Sequence, residues 1–536
     1  MSWISLLGLL ALLGIAWALS YHKTRIPWPT VFWGLGLQFL FALIILREDW
    51  LSYLGMGIFA LLLIVYIRAR AGDAPVAIGI WVGGSALLAG FGVWLLPGIL
   101  SWALVALLAL LLVQARWSLH PRIGSVGAVV LVALGFAFLV SRGITGQAVF
   151  SSFSDKVAEF LSLSDYGAEF LFGNLADPQY FFPGEEAAWP GFGFLFAFKV
   201  LPTIIFFAAF MAVLYYLGIV QKVIEAMSRF MRWTIRTSGA ETLSCSANIF
   251  VGQTEAPLLI KPFLPGMTRS ELLTIMVGGF ATIAGGVLAG YIAFGVPAGH
   301  LVAASVMSAP AALVLGKLIY PETEHSETAG DVEIPEIESG DNLIEAASIG
   351  VTDGLKLAVN VGAMLIGFIA LIAVVDVALN WMDSIVDGRW LGGEHYTYQA
   401  VGLTPATGEF AGFFPGSLQT LFGTILSPLA FLMGVPWEDA DLVGNLLGIK
   451  LSLNEFVAYG TLGTYIERGA LSPRAITIST YALCGFANFA SIGIQIGGIS
   501  ALAPTRKSEL AALGLKAMFG GALASWTTAT IAGILV

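Results

Sequence analysis

Long apolar runs with few charges extend over most of the chain. A helix that crosses a bilayer needs about 20 mostly apolar residues. The pattern predicts about twelve spans, at 3–20, 29–46, 51–69, 75–96, 98–115, 123–141, 196–219, 271–293, 299–318, 350–378, 473–500 and 510–536. Two further segments, 241–265 and 436–466, are interpreted as re-entrant hairpins. The predicted fold class is an all-α polytopic membrane protein.

Lysines and arginines at the ends of spans predict the orientation of the chain. They follow every second span: Lys23 and Arg25, Arg68 and Arg70, Arg116 and Arg122, and then Lys222, Arg229, Arg232 and Arg236. We therefore expect these loops in the cytoplasm and both termini outside it. Arg47, Arg142 and Arg474 fall on the opposite side and are a minority.

Two segments between the spans have a helical pattern of apolar and polar positions. Residues 221–237 are predicted to form an amphipathic helix on the cytoplasmic surface, and 150–171 an interfacial helix on the outer face. Ordinary loops are the alternative for both.

The composition supports a membrane protein. Of the 536 residues, 57% are hydrophobic and 11% charged, and the mean hydropathy is +0.86. Soluble domains carry about 25% charged residues. The net charge of −10 gives no support for a nucleic-acid partner. Eight acidic residues without any Lys or Arg fall in 321–341, which is typical of a solvated loop.

Several kinds of chemistry have no support in the sequence. Cys245 and Cys484 lie in apolar, Gly-rich stretches, which favours buried small side chains over a disulfide or a metal site. The chain has no CxxC, HExxH or GxxxxGK[ST] motif, so zinc chemistry and ATP-driven pumping are not indicated. The first 20 residues lack the basic start and cleavage site of a signal peptide, and we interpret them as a retained span.

The stretch 244–265 combines polar side chains with apolar surroundings. It places Asn248, Gln253, Thr254 and Glu255 within eight positions. A carboxylate at membrane depth costs roughly 2.5–3.5 kcal/mol on insertion scales, so it usually has a function or a partner. A glycine before Glu255 and a proline after it favour a broken helix, which a bilayer tolerates only where it is buried or lines a wet cavity.

A second copy of this pattern occurs later in the chain. Asn248-Ile-Phe-Val recurs as Asn454-Glu-Phe-Val, and thirty-one residues after each Asn comes Gly-Phe-Ala, at Gly279 and Gly485. Three full spans separate the two predicted hairpins, so they enter the membrane from opposite sides. An inverted repeat with interrupted helices is typical of the binding site of a secondary transporter.

At these motifs the sequence resembles the concentrative nucleoside transporter family. The matching stretches are 196–207, 247–257, 278–286, 360–366, 434–438, 454–459 and 482–488. The similarity covers roughly 1–50 and 145–536. Four spans within 51–141 have no counterpart in the eight-span form that the resemblance implies for bacterial members, and a peripheral scaffold is the simplest interpretation of them.

The resulting organisation has seven parts. They are two scaffold spans (1–50), an inserted four-span segment (51–144), a segment with an interfacial helix, a scaffold span and an amphipathic helix (145–237), repeat 1 with the following span (238–320), an acidic cytoplasmic loop (321–345), a scaffold span with an outer interfacial segment (346–430), and repeat 2 with the final span (431–536).

The resemblance implies eight substrate-binding side chains. They are Gln253, Thr254, Glu255 and Val287 at the base of the nucleoside, and Glu455, Phe486, Asn488 and Ser491 at its ribose. Each has a structural alternative, because a Glu at a hairpin tip can face a helix N-terminus and an Asn or Ser can satisfy broken backbone. Two glutamates at similar places in the two repeats favour a site.

The resemblance also implies a Na⁺ site. Its ligands would be the side chains of Asn248 and Thr282 and the backbone carbonyls of Val251 and Ile283, a set of neutral oxygens that suits Na⁺. Coupling to H⁺ is the alternative, with Glu255 or Glu455 as the titrating group.

The function expected is a Na⁺-driven symporter that imports uridine-like nucleosides by alternating access. The protein is not expected to be an enzyme or to need an organic cofactor, and it is expected in the bacterial inner membrane. The resemblance alone implies a homotrimer. An H⁺-coupled symporter, a channel, a transporter of drugs or amino acids, and a membrane enzyme that uses Glu255 and Glu455 as an acid–base pair remain alternatives.

Overall fold

The fold is described from a computed structural model, for residues 2–94, 97–117, 121–180, 195–330, 332, 340–397 and 408–536. Helices dominate these residues, as predicted. The first eight are α1 (Ser2–Ala18), α2 (Trp28–Leu46), α3 (Trp50–Arg70), α4 (Pro75–Trp94), α5 (Pro97–Trp117), α6 (Pro121–Ser141), α7 (Gly146–Ser162) and α8 (Ser164–Phe172).

The remaining helices contain the two predicted repeats. The next seven are α9 (Phe196–Tyr216), α10 (Ile219–Ile235), α11 (Gly239–Ala247), α12 (Arg269–Ala281), α13 (Gly285–Ala293), α14 (Ala298–Ile319) and α15 (Leu343–Asp383). The last six are α16 (Leu418–Leu432), α17 (Ala440–Ser452), α18 (Glu455–Glu467), α19 (Pro473–Leu483), α20 (Phe489–Leu502) and α21 (Lys507–Leu535).

Two short strands follow α15 and were not predicted by the sequence pattern. After a π-helical turn at Ser384–Trp390, β1 (His395–Thr397) pairs with β2 (Gly408–Phe410) in an antiparallel ladder, with Tyr396 opposite Glu409. The fold is therefore mostly helical, with one small two-stranded sheet in the part of the chain that is described.

Eight helices among the described residues are long and apolar enough to cross a membrane. They are Trp28–Leu46, Trp50–Arg70, Pro75–Trp94, Gly124–Ser141, Phe196–Tyr216, Ala298–Ile319, Leu343–Trp390 and Pro504–Leu535. The predicted spans at 271–293 and 473–500 are each two short helices with a break, and α16 was not predicted as a span. The count of twelve stays a prediction.

Residues 39–153, with 535–536, form one compact unit. Within it, α3, α4, α5 and α6 pack on each other. Arg68, in the last turn of α3, pairs with Asp73, donates to the Ser125 hydroxyl at 3.2 Å and lies 4.3 Å from the centre of the Trp81 ring. One buried guanidinium thus connects α3 with α4, α6 and the turn that follows α3.

Residues 1–38 and 154–534 form the second and larger unit. Its core contains α14 and α21, whose apolar stretches are 89% and 83% buried, whereas the apolar stretch of α15 is 19% buried. A helix that is apolar on all sides belongs in an interior. The predicted repeats 238–320 and 431–536 both lie in this unit, apart from the last residues of α21.

The two predicted surface helices are present as helices. Residues 219–235 form α10, whose buried positions include Val220, Ile224 and Met231 on one face. The predicted interfacial segment is divided into α7 and α8. The side of the membrane on which each lies stays a prediction.

The acidic segment after α14 is more ordered at its start than a solvated loop. Glu271 accepts hydrogen bonds from the hydroxyls of Ser326, at 2.6 Å, and Thr328, at 2.8 Å. Lys317 pairs with Glu322 at 3.1 Å. Residues 331 and 333–339 lie outside the described residues. Both cysteines are buried and free, as predicted.

Candidate binding site

Two broken helices meet at the centre of the larger unit. The break between α12 and α13 spans 282–284, and the break between α19 and α20 spans 484–488. Gly485, with φ +117°, lies at the contact, where a Cβ would stand 2.4 Å from the carbonyl oxygen of Phe280 and 2.8 Å from that of Ala281. Glycine is required for both the conformation and the space.

The second predicted hairpin is a pair of helices joined by a very short turn. Helices α17 and α18 have 13 residues each, or about 20 Å at 1.5 Å per residue, which is less than the roughly 30 Å of a hydrocarbon core. The Asn454 side chain begins α18 by accepting the backbone N–H of Val457 at 2.9 Å. These lengths suit a segment that enters the membrane and returns.

Glu455, the first residue of α18, is held by two other segments. It is 4% exposed, and its carboxylate accepts the Tyr291 hydroxyl of α13 at 3.2 Å and the side-chain N–H of Asn488 at 3.4 Å. The helix N-terminus also favours a negative charge there. The carboxylate therefore joins hairpin 2 to both broken helices.

The tip of the first predicted hairpin is less regular. Residues 248–255 contain no helix, and a 3₁₀ turn, Ala256–Ile260, follows them. Glu255 is exposed and accepts the Thr254 hydroxyl at 3.3 Å. Its carboxylate lies over Gly252, where a Cβ would stand 2.2 Å from a carboxylate oxygen. The first tip thus presents an open carboxylate, and the second a buried one.

All eight side chains predicted to bind substrate line one cavity of about 210 Å³. Gln253, Thr254 and Glu255 contribute from hairpin 1, Val287 from α13, Glu455 from hairpin 2, and Phe486, Asn488 and Ser491 from the second helix break and α20. Ligand pockets for drug-sized molecules are usually roughly 300–1,000 Å³, so this cavity suits a smaller solute.

A larger cavity lies beside it. It measures about 930 Å³, runs between α13, α15 and α18, and is lined almost entirely by apolar side chains. The two cavities share Leu365 and Phe456. We place the candidate site in the smaller one, because specific sites combine apolar walls with a few convergent polar groups.

A chain of amide groups fixes the orientation of Gln253. The side-chain nitrogen of Gln495 donates to the backbone carbonyl of Met276 at 3.1 Å, and this carbonyl can only accept. The same nitrogen lies 3.0 Å from the side-chain oxygen of Gln253, whose own nitrogen is 3.4 Å from the Ser491 hydroxyl. Gln253 therefore directs an N–H donor, not its oxygen, toward Ser491.

Asn488 caps a helix and also lines the candidate site. Its side-chain oxygen accepts the backbone N–H of Ser491 at 2.9 Å and so caps α20. Its side-chain nitrogen reaches Glu455. The N-cap interaction uses only the oxygen, and the residue also lines the cavity.

The residues predicted to bind Na⁺ lie at the C-terminal ends of α11 and α12. Asn248 donates its side-chain N–H to the carbonyl of Ser244 at 3.1 Å, which leaves its side-chain oxygen as an acceptor. The Thr282 hydroxyl donates to the Gly278 carbonyl at 2.5 Å, so its lone pairs are available. Val251 and Ile283 follow in non-helical backbone. Neutral oxygens next to negative helix ends fit a Na⁺ ion.

Three polar residues near the site were not predicted from the sequence. Tyr291 contacts Glu455, Gln495 contacts Gln253, and Lys450 donates to the carbonyls of Ala482 and Cys484. Lys450 had a signal, because a lysine in an apolar segment usually has a partner or a function. Tyr291 and Gln495 had none, since each is brought to its partner only by the packing of distant segments.

Three family models match the chain. They describe the Na⁺-dependent nucleoside transporter N-terminus, at 7–62 and 101–175, nucleoside recognition, at 197–298, and the Na⁺-dependent nucleoside transporter C-terminus, at 300–533. Together they span most of the sequence, and the longest unmatched stretch is 63–100.

The chain belongs to the Na⁺-dependent nucleoside transporter family.

The protein has relatives in bacteria and mammals. It is 40% identical to an uncharacterized transporter of Haemophilus influenzae, over 82% of this chain and 98% of that protein. It is 42% identical to the uncharacterized transporter YutK of Bacillus subtilis, over 82% of this chain and 99% of that protein. It is 42% identical to mouse sodium/nucleoside cotransporter 1, over 75% of this chain and 59% of that one.

Solved structures of CNTnw resemble this fold over its whole length. The inward-facing substrate-bound state has 32% identity and a TM-score of 0.71, with 100% of this chain and 98% of CNTnw covered. A variant in an intermediate state has 32% identity, a TM-score of 0.72, and 100% and 99% coverage. The similarity confirms a transporter fold and the prediction that the protein is not an enzyme.

Proposed function

We propose that this protein imports uridine-like nucleosides across the bacterial inner membrane in symport with Na⁺. One observation carries the proposal. Eight side chains that the family resemblance implies, drawn from both repeats of the sequence, line a single cavity. Sodium-coupled nucleoside transport is the activity of the family, and the finer assignments below are the proposal.

In this proposal the cavity divides into two chemically different ends. The Gln253 N–H donor and the Glu255 acceptor can pair with the polar edge of a base, and Val287 packs against its face. Glu455 and Asn488 offer an acceptor and a donor for ribose hydroxyls, with Phe486 against the sugar. A polar solute is needed at both ends, because an unmatched buried polar group costs about 1–3 kcal/mol.

Na⁺ binds in this proposal beside the same tip that contacts the base. Asn248 and Val251 precede Gln253 by only a few residues, so an ion held there with Thr282 and Ile283 orders the tip that binds substrate. Symport requires the ion to bind one conformational state better than the other. Ordering of an irregular tip by Na⁺ provides such a difference.

The transport cycle proposed is alternating access around this cavity. The short hairpins and the two broken helices form the moving core, and the long apolar helices form a scaffold in the bilayer. We further propose an inverted relation between the two repeats and extracytoplasmic termini, which follow from the span count and the basic loops. A homotrimer is proposed as well, and it rests on the family resemblance alone.

The proposal is tested by uptake of labelled uridine into proteoliposomes. An inward Na⁺ gradient should produce saturable accumulation above equilibrium, and a competition series with other nucleosides, amino acids and drugs defines the substrate class. Equal uptake driven by a pH gradient in Na⁺-free buffer would replace Na⁺ with H⁺. Non-saturable flux without accumulation would indicate a channel, and chemically altered uridine inside would indicate an enzyme.

A further inference from the structure

A buried lysine lies at the helix break of repeat 2. Lys450, in the last turn of α17, is 0% exposed. Its ammonium donates to the carbonyl of Ala482 at 2.9 Å and to that of Cys484 at 3.3 Å, where α19 ends. The other deeply buried lysine, Lys317, instead pairs with the carboxylate of Glu241 at 2.9 Å.

The surroundings of Lys450 are those of a bound cation. The effective cost of burying an ammonium is several kcal/mol, so specific compensation is required. The C-terminal end of a helix supplies it, since the carbonyls there carry partial negative charge and lack helical partners. Backbone carbonyls at the break of a discontinuous helix are also the groups that hold coupling ions in transporters.

Repeat 1 has no lysine at the matching place. Ser244 lies four residues before Asn248, as Lys450 lies four residues before Asn454. The Ser244 hydroxyl is buried and has no partner within the described residues. Here the helix ends lie beside Asn248 and Thr282, the residues proposed to bind Na⁺.

Several oxygens around the helix break of repeat 2 already accept hydrogen bonds from within the protein. The Tyr459 hydroxyl donates to the Thr480 carbonyl at 2.8 Å, and the Ser525 hydroxyl donates to the Cys484 carbonyl. The side-chain oxygens of Asn454 and Asn488 cap α18 and α20. The break in repeat 2 is thus closed by the protein itself.

We infer that the Lys450 ammonium is a covalently attached cation at the helix break of repeat 2, where repeat 1 instead has its proposed Na⁺ ion. This inference rests on the proposed function. Its consequence is that one Na⁺ ion, and not two, is coupled to each nucleoside, because the second break carries its positive charge on a side chain.

The unaltered protein provides the first test. In proteoliposomes, Na⁺ should activate uridine uptake with a Hill coefficient of about one, the maximum for a single site. The reversal potential of uridine-coupled current should give one charge per uridine. A Hill coefficient near two together with two charges per uridine would overturn the inference.

Two variants test the charge itself. Lys450→Met keeps the length of the side chain and removes the ammonium, and Lys450→Arg keeps the charge. We expect Lys450→Met to reduce the Vmax of uridine uptake at low Na⁺ by about tenfold or more. As the Na⁺ concentration is raised, uptake by this variant should recover with a steeper Na⁺ dependence, because Na⁺ enters the vacated break. Lys450→Arg should retain most of the activity with the original Na⁺ dependence.

A binding measurement separates these effects from a loss of folding. Na⁺ stabilises the state that binds it, so the rise in Tm between choline and Na⁺ buffers should be larger for Lys450→Met than for the unaltered protein. Normal transport and Na⁺ dependence in Lys450→Met, or equal loss in folded Met and Arg variants, would overturn the inference. Absence of Na⁺-driven uptake by the unaltered protein would instead reject the proposed function.

Discussion

The two repeats place similar sequence motifs in different local structures. In repeat 1, Asn248 ends α11 and is followed by an irregular tip; in repeat 2, Asn454 begins α18 directly. Glu255 is exposed on its tip, whereas Glu455 is buried and bonded to Tyr291 and Asn488. The tip of repeat 1 thus has an exposed carboxylate, whereas the carboxylate of repeat 2 is already hydrogen-bonded within the protein.

This difference explains how one ancestral pattern can serve two tasks. The oxygen of an asparagine can accept a backbone N–H and cap a helix, or it can stay available to an ion. Repeat 2 uses Asn454 and Asn488 as caps, so the first turns of α18 and α20 are hydrogen-bonded by the protein's own side chains. In the proposed function, Na⁺ and substrate order the irregular tip of repeat 1, which provides the difference between conformational states that coupling requires.

The largest effect is expected at the buried glutamate. Glu455→Gln should lower Vmax/KM for uridine on the order of a hundredfold, since hydrogen bonds to a charged group contribute about 1.5–3 kcal/mol each. Glu255→Gln, at the exposed position, should lower it about tenfold. Uptake kinetics of detergent-stable, monodisperse variants would measure both, and equal losses would remove the distinction between an open and a closed half.

Asn248 and Asn454 occupy corresponding positions in the two repeats, so replacing each of them tests whether the repeats have different roles. Asn248→Ala should raise the half-saturating Na⁺ concentration by about tenfold, the effect of one lost ligand of roughly 1.4 kcal/mol. Asn454→Ala removes a helix cap worth about 1 kcal/mol and should lower Tm without changing the Na⁺ dependence. Na⁺ titrations of uptake, together with thermal unfolding, check both, and the opposite pattern would exchange the roles of the two repeats.

The last prediction concerns selectivity rather than rate. Gln495→Glu places an acceptor beside the Gln253 oxygen, which favours rotation of that amide and turns its oxygen toward the cavity. The ratio of uridine to cytidine Vmax/KM should then change by about tenfold, since these bases present different edges. The same change in the presence of Gln253→Ala serves as control.

A merely structural role for Gln495 gives a different outcome. Both nucleosides would then lose transport in proportion, with the ratio unchanged, or the ratio would shift as much with Gln253→Ala as without it. Either result would contradict the inference that Gln495 acts on selectivity by orienting Gln253.

Local sequence properties determined the membrane class and most helices, whereas the breaks at 282–284 and 484–488 fall inside two predicted spans. Apolar runs long enough to span a bilayer need no tertiary information, and Gly485 marks a conformation that few other residues adopt. The lengths of the helices were less well determined. Helix α15 covers Leu343–Asp383 instead of 350–378, because its first turns are polar and begin at a cap, Asn342, outside the apolar run.

The sequence by itself determined which side chains could serve a site, because buried carboxylates and amides in an apolar chain are costly and stand out, and the resemblance grouped them. Only the tertiary structure decided which partners these side chains contact. It placed Tyr291 on Glu455, Gln495 on Gln253 and Lys450 on the carbonyls of a broken helix, at separations along the chain of 164, 242 and 32 residues. Such contacts depend on how segments cross, which no local pattern specifies.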